Sequence, residues 1–179
     1  MTRRILGIAG SLRRDSSNRK MLLAAGRLVP SDVTLEMWEG LGDLPHLNPE
    51  LDTDTPPAPV REFRTLVRAV DAILICSPEY AFGVPGVMKN ALDWLVGGGD
   101  DVVGKPVASI NVSPRATLAQ ASLLRTLEGI SARVVHEACV TIPLVGKQHD
   151  VDAMVADETI ASPLREVVER LRAAMTLRS

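Results

Sequence analysis

The run Asp71-Ala72-Ile73-Leu74-Ile75-Cys76 constrains the fold more than any other stretch of the chain. An unbroken aliphatic run rich in β-branched residues suits a strand covered on both faces, as in a parallel sheet with helices above and below. Further strands read at Ile5 to Ala9, Val33 to Trp38, Pro106 to Val112 and Ala132 to Ile142. Between them the apolar residues recur at helical spacing: Met21, Leu22, Ala25 and Leu28, then Val60, Phe63, Val67 and Val70, then Met88, Ala91, Leu92 and Leu95, then Thr117 to Ile130. The last helix carries Leu164, Val167, Val168 and Leu171 behind Ser162-Pro163, which reads as its start signal. Five strands alternating with five helices predict one α/β domain over residues 1–179, doubly wound around a mostly parallel sheet. With right-handed crossovers the common order for five strands is 2-1-3-4-5, and ligands then bind beyond the carboxyl ends of strands one and three.

Charge and composition exclude several functions. The 20 Lys+Arg against 22 Asp+Glu leave a formal net charge of −2, with no basic excess to hold nucleic acid or an anionic membrane, so any anion site is local. No apolar run nears the ~20 residues of a membrane span, and Ile5 to Ala9 is too short for a signal-peptide core, so a cytoplasmic protein is expected. Cys76 and Cys139 sit in apolar runs and read as buried, reduced thiols. His46, His136 and His149 lack ligand spacing, so no metal site is expected, and His149-Asp150 reads as a solvated helix start. The absence of a Gly-x-Ser-x-Gly elbow removes the nucleophile turn of an α/β hydrolase. Gly99 to Lys105 imitates a nucleotide P-loop until Pro106 takes the hydroxyl position, and a helix precedes it where a strand is needed. It reads as a helix-to-strand turn.

The two loops at the expected binding end are chemically rich. The first, Gly10 to Asn18, places Ser11, Ser16, Ser17, Asn18, Arg13 and Arg14 between a buried strand and a helix start. Free backbone N–H groups and the helix dipole favour an anion there, and hydroxyls and a guanidinium suit a phosphate monoester. The alternative is a polar loop with an ordinary Ser16 or Asn18 cap and solvated arginines. The second loop, Ser77 to Gly86, is stiffened by Pro78 and Pro85, while Gly83 and Gly86 allow close backbone approach to a planar polar heterocycle. A side chain at Gly83 is expected to obstruct that approach. Tyr80 and Phe82 offer ring faces, or merely close the core, as Trp94 is expected to do.

Together these residues resemble a known family. Gly10-Ser11-Leu12-Arg13 with Ser16-x-Asn18, then Ser77-Pro78-Glu79-Tyr80 and Pro85-Gly86-Val87-x-Lys89-Asn90-Ala91-Leu92-Asp93-Trp94, are similar to the NADPH-dependent FMN reductases, the flavodoxin-like quinone, azo-dye and chromate reductases. The resemblance covers about the first two thirds of the chain. It implies a flavodoxin-like fold and FMN with its phosphate held by Ser11, Arg13, Ser16, Ser17 and Asn18. It also implies a flavin ring against Pro78, Glu79, Tyr80, Ala81 and Phe82, and a homodimer or dimer of dimers with the flavin near the interface. Two departures stand out. Ala81 replaces the usual Asn after the Glu-Tyr pair, and the loop Ser113 to Thr117 lacks the family's glycine-rich stretch, leaving Ser113 and Arg115 as candidates for a third flavin contact. The helix after Pro85 has more apolar positions than one sheet-facing stripe needs, which points to burial against a second subunit.

Two functions follow. One is an oxidoreductase in which NADPH or NADH reduces the flavin, which then reduces a small quinone, azo, nitro or metal-ion acceptor by ping-pong turnover. The other is a flavin-binding electron carrier or redox sensor that meets protein partners. The near-neutral charge favours the enzyme, and the cofactor carries the chemistry, so no side-chain acid or base is expected. Glu79 reads as a loop or interface ion-pair partner. Arg13→Ala is expected to weaken FMN far more than riboflavin, and Lys105→Ala to change neither flavin content nor turnover.

Overall fold

The computed structural model describes residues 2–144 and 150–175. Strands β1 (Arg3–Ala9), β2 (Val33–Trp38), β3 (Ala72–Cys76), β4 (Pro106–Asn111) and β5 (Arg133–Val134) form a parallel sheet in the order β2-β1-β3-β4-β5, and β6 (Val140–Thr141) also pairs with β4. The helices are α1 (Ser17–Arg27), α2 (Ala58–Ala69), α3 (Gly86–Val96), α4 (Thr117–Gly129), α5 (Val151–Ala156) and α6 (Glu158–Met175). This is the flavodoxin-like arrangement the sequence predicts.

Strand pleating sorts the core into two layers. Ile5 and Leu74 pack under Met21 and Leu22 of α1 and under Leu164, Val168 and Leu171 of α6. Leu6, Ile8, Ile73 and Ile75 pack on the other face with Phe63 of α2, Met88 and Trp94 of α3 and Leu123 of α4. Every residue of β3 is buried, as its unbroken apolar run requires.

Two local expectations change. The fifth strand is two short pieces: six steps along this edge, Val134 to Val140, answer three along β4, Val107 to Ile110. The surplus residues fold into a 3₁₀ turn at His136–Ala138, which drops Ala138 fully into the core. The last helix starts at Glu158, and Pro163 lies inside it. Asp157 sets that start by accepting hydrogen bonds from the Thr159 N–H at 2.9 Å and its hydroxyl at 2.6 Å. Pro163 removes only the bond to the carbonyl of Thr159, an exposed residue whose oxygen water can reach. Lys105 is 2% exposed, and its ammonium donates to the carbonyls of Val70 at 2.5 Å and Arg68 at 3.4 Å, so within this turn it caps the end of α2. His149 lies outside the described residues, while Asp150 beside it caps α5 through the Ala153 N–H at 2.7 Å.

The segment from Glu39 to Pro57 is pinned across α3. Leu41 and Leu44 are buried, the Pro45 carbonyl accepts from Asn90 Nδ2 at 3.0 Å and Trp94 Nε1 at 2.8 Å, and the Leu47 N–H donates to Asn90 Oδ1 at 2.8 Å. Asp52 pairs with the buried Arg64 at 2.9 Å. This cover uses the surplus apolar face of α3 within the chain. Met88, Ala91, Leu92, Trp94 and Leu95 are buried within the chain, while Val87 is half-buried and Val96 is 67% exposed.

Candidate functional site

The loops after β1 and β3 touch at their roots. The Gly10 N–H donates to the Cys76 carbonyl at 2.9 Å, and a Cβ on Gly10 would lie 2.1 Å from Ser77 Oγ, so only glycine permits this approach. Ser16 is the N-cap of α1, its hydroxyl accepting from the Arg19 N–H at 3.4 Å. Asn18 is left for another task. It is buried, and its Oδ1 accepts from the Cys76 thiol at 3.3 Å, which turns its NH₂ away from β3. Burial pushes the Cys76 thiol far above its ordinary range, so this sulfur is a fixed donor, not a nucleophile. Among the described residues, the N–H groups of Ser17 and Asn18 have no hydrogen-bond acceptor, and the guanidinium groups of Arg13 and Arg14 form no ion pair. Asp15 pairs with Lys20.

The β3 loop is a tight turn under strain. Tyr80 and Gly83 exchange both backbone hydrogen bonds at 3.0 Å, and Ala81 and Phe82 between them have φ of 49° and 62°. That is the geometry of a type I′ turn, which ordinarily selects Asn and Gly. Gly83 itself has no positive φ, and a Cβ on it would meet only the Tyr80 carbonyl at 3.8 Å. The conformational demand of the turn therefore falls on Ala81 and Phe82, while within the chain itself a Cβ at Gly83 is accommodated. Tyr80 and Phe82 are 53% and 78% exposed, whereas Trp94 is core as expected. Glu79 Oε2 accepts from the Ala119 N–H at 2.8 Å, so Glu79 caps the first turn of α4, and among the described residues it forms no ion pair within the chain.

A cleft of about 550 Å³ brings the two loops together, bordered by Ser11, Arg13, His46, Tyr80, Pro85 and Val87 among others. Its size falls in the range of small-molecule sites. Of the expected site residues Ser11, Arg13 and Tyr80 border it, Ser16, Ser17 and Asn18 stand at the adjoining helix start, and Pro78, Glu79, Ala81 and Phe82 shape the turn beside it. Ser113 and Arg115 do not border it; their loop closes on itself, with the Ala116 N–H bonded to the Ser113 carbonyl at 3.1 Å and the Ser113 N–H to Asn111 Oδ1 at 2.9 Å. His46 reaches the cleft because Asn90 and Trp94 fix the residues on either side of it. The sequence carried one clue to that clamp: Asn90 and Trp94 are polar-tipped side chains four apart on an otherwise apolar helical stripe. Hydroxyl, guanidinium and unpaired N–H donors at one end, with an apolar wall of Pro85 and Val87 at the other, suit a planar ring system ending in a phosphate. FMN fits that description.

Residues 3–147 match the family model described as NADPH-dependent FMN reductase. The chain belongs to this family. FMN and NAD(P)H are the cofactors that go with membership. A quinone reductase of Pseudomonas putida is 42% identical over 113 residues, 61% of this chain and 59% of that protein, so the match spans about three fifths of its length. An NAD(P)H-dependent FMN reductase of Pseudomonas aeruginosa is 30% identical over 94% of this chain and 93% of its own. FerB of Paracoccus denitrificans, a flavoenzyme NAD(P)H:(acceptor) oxidoreductase, superposes with a TM-score of 0.80 and 30% identity over 98% of each chain. A flavodoxin-like domain from a Synechococcus species superposes at 0.59 with 14% identity over 97% and 98% of the two chains, which shows the fold alone.

Proposed function

We propose that this chain is an FMN-dependent, NAD(P)H-oxidising reductase that passes electrons to a quinone, azo, nitro or metal-ion acceptor. The observation that carries the reading is the shared cleft, in which the polar loop after β1 and the strained turn after β3 meet around one cavity. When bound, FMN supplies the two-electron chemistry between donor and acceptor. Ser11, Arg13 and the N–H groups of Ser17 and Asn18 hold its phosphate, with Ser16 shaping the helix start. Pro78, Glu79, Tyr80, Ala81 and Phe82 hold the ring edge. Ser113 and Arg115, outside the cleft lining in the loop that leads into α4, are the candidates for a third contact with the flavin. His46, Pro85 and Val87 line the space left for donor and acceptor.

With one flavin face covered by the loop from Pro78 to Phe82, donor and acceptor share the single face left open and occupy it in turn, which is ping-pong turnover. The compartment is the cytoplasm, in keeping with two unpaired cysteines and with no described helix long and apolar enough to cross a membrane. The working form is a homodimer or dimer of dimers, supported by the exposure of Leu12, Tyr80 and Phe82 around the cleft.

The test is the visible spectrum of the purified protein, followed by steady-state turnover of NADPH with a small quinone. Flavin bands and parallel double-reciprocal lines are expected. Flavin without turnover would leave an electron carrier, and intersecting lines would overturn the shared-cleft mechanism.

A further inference from the structure

Asn18 occupies a place where an apolar side chain would ordinarily stand. It lies three and four residues before Met21 and Leu22 on the buried face of α1, and it is 6% exposed. An amide there needs a partner, and it finds one in the Cys76 thiol at the end of β3, fully buried in the same core layer as Met21 and Leu22. Burial keeps that thiol protonated, so it has a hydrogen to give, and Asn18 Oδ1 accepts it at 3.3 Å. With its oxygen tied inward, the amide's NH₂ has no acceptor among the described residues and is not sealed in the core, so it opens at the start of α1 beside the N–H groups of Ser17 and Asn18. The reverse orientation would turn a partly negative oxygen on any anion at that point. For a buried amide the choice between the two orientations is therefore a choice between attracting and repelling the same ligand.

We propose that Cys76 is a positioning residue for the flavin phosphate: by holding the Asn18 oxygen it keeps the amide's NH₂ towards the phosphate, and so strengthens the preference for FMN over riboflavin. This rests on the proposed function for the place of the phosphate. The thiol acts at one remove, through Asn18, and no redox step is asked of its sulfur. Cys76 also fixes the root of the β1 loop, its carbonyl accepting from the Gly10 N–H at 2.9 Å, but that bond belongs to the main chain and survives a change of side chain. Only the S–H distinguishes Cys76 from an apolar residue of similar size at the end of a buried strand.

The experiment measures Kd for FMN and for riboflavin by flavin fluorescence, in the protein freed of its flavin and in Cys76→Val, Cys76→Ser and Asn18→Ala. Valine fills the space and gives no hydrogen, whereas serine keeps a donor. In Cys76→Val, FMN should bind at least about fivefold more weakly, the scale of one hydrogen bond, while riboflavin stays within about twofold. Cys76→Ser should recover most of the FMN affinity. Asn18→Ala should weaken FMN at least as much as Cys76→Val, and adding Cys76→Val to it should change Kd no further, because the thiol acts only through the amide. Equal weakening of the two flavins would make Cys76 a packing residue, additive losses in the double variant would give the thiol a route that bypasses Asn18, and a serine variant as weak as the valine one would show that the donor is not what matters; each overturns the proposal. A wild-type protein that binds the two flavins equally would remove the phosphate site from the proposed function and this assignment with it. A strong FMN preference that Cys76→Val leaves intact would keep that site and overturn the role of Cys76 alone.

Discussion

Ala81 and Phe82 hold φ of 49° and 62° in a turn closed by reciprocal hydrogen bonds between Tyr80 and Gly83. An L residue in this region pays a steric penalty, because its Cβ crowds a neighbouring carbonyl, by about 1–2 kcal/mol. Strain of this kind persists where surrounding structure over-determines the backbone, and it gathers at binding sites. Here it holds the exposed rings of Tyr80 and Phe82 beside the cleft. Ala81→Gly should therefore raise stability by about 1 kcal/mol, less a few tenths for the added freedom of the unfolded chain, seen as a higher urea midpoint. Ala81→Asn, with a side chain tolerant of this region, should give part of the gain. A lower midpoint for Ala81→Gly would show that the turn is not strained. Gly83, whose backbone is ordinary, carries no such strain.

At the scale of elements, Glu79 joins the β3 loop to α4, forty residues further along the chain, by accepting from the Ala119 N–H. The first turn of α4 has no cap of its own: Ala116 at the N-cap makes no side-chain hydrogen bond. Glu79→Ala should cost about 1 kcal/mol and speed hydrogen exchange at the Ala119 amide, while Glu79→Gln, which keeps an acceptor and loses the charge, should cost less. Unchanged exchange in Glu79→Ala would mean that α4 does not depend on this cap. The sequence could not show this bond, because a cap supplied from another element leaves no local pattern. The central strands were legible because their residues must be apolar on both faces, and the Ser16 cap because capping is local. The edge strand misled because Val134, Val135, Val140 and Ile142 read as one β-prone run, whereas the break at His136–Ala138 is set by packing against β4 and the core. Pro163 misled for a related reason: proline favours a helix start, but Asp157 had already made one. His46 came to the cleft only through the return path of a long proline-rich segment, which carries no periodicity to read.

Across the whole molecule, ion pairs tie the two ends of the described chain to the sheet edge. Asp32, in the turn before β2, takes Arg172 of α6 at 3.0 Å and Arg3 of β1 at 3.4 Å, and Glu36 of β2 takes Arg4 at 2.9 Å. The hydrogen bond from Arg172 holds the Asp32 carboxyl below the usual range, and bonds from Arg4, Lys20 and Arg165 do the same for Glu36, Asp15 and Glu158. A carboxyl with a depressed folded pKa binds its proton less readily folded than unfolded. Its contribution is thus complete above the unfolded value of about 4 and is lost as pH falls through the lower folded value. Each pair is at least partly open to water, so each contributes little singly, and salt screens all four. The urea midpoint should accordingly stay flat from about pH 8 to pH 5 and fall below about pH 4, less steeply in about 0.5 M NaCl. Asp32→Asn should lower the neutral midpoint slightly and remove part of the acid dependence, because its neutral amide has no proton to gain. An acid slope identical to that of the parent protein would place the sensitivity elsewhere and leave the Asp32 junction between β1, β2 and α6 without a role in it.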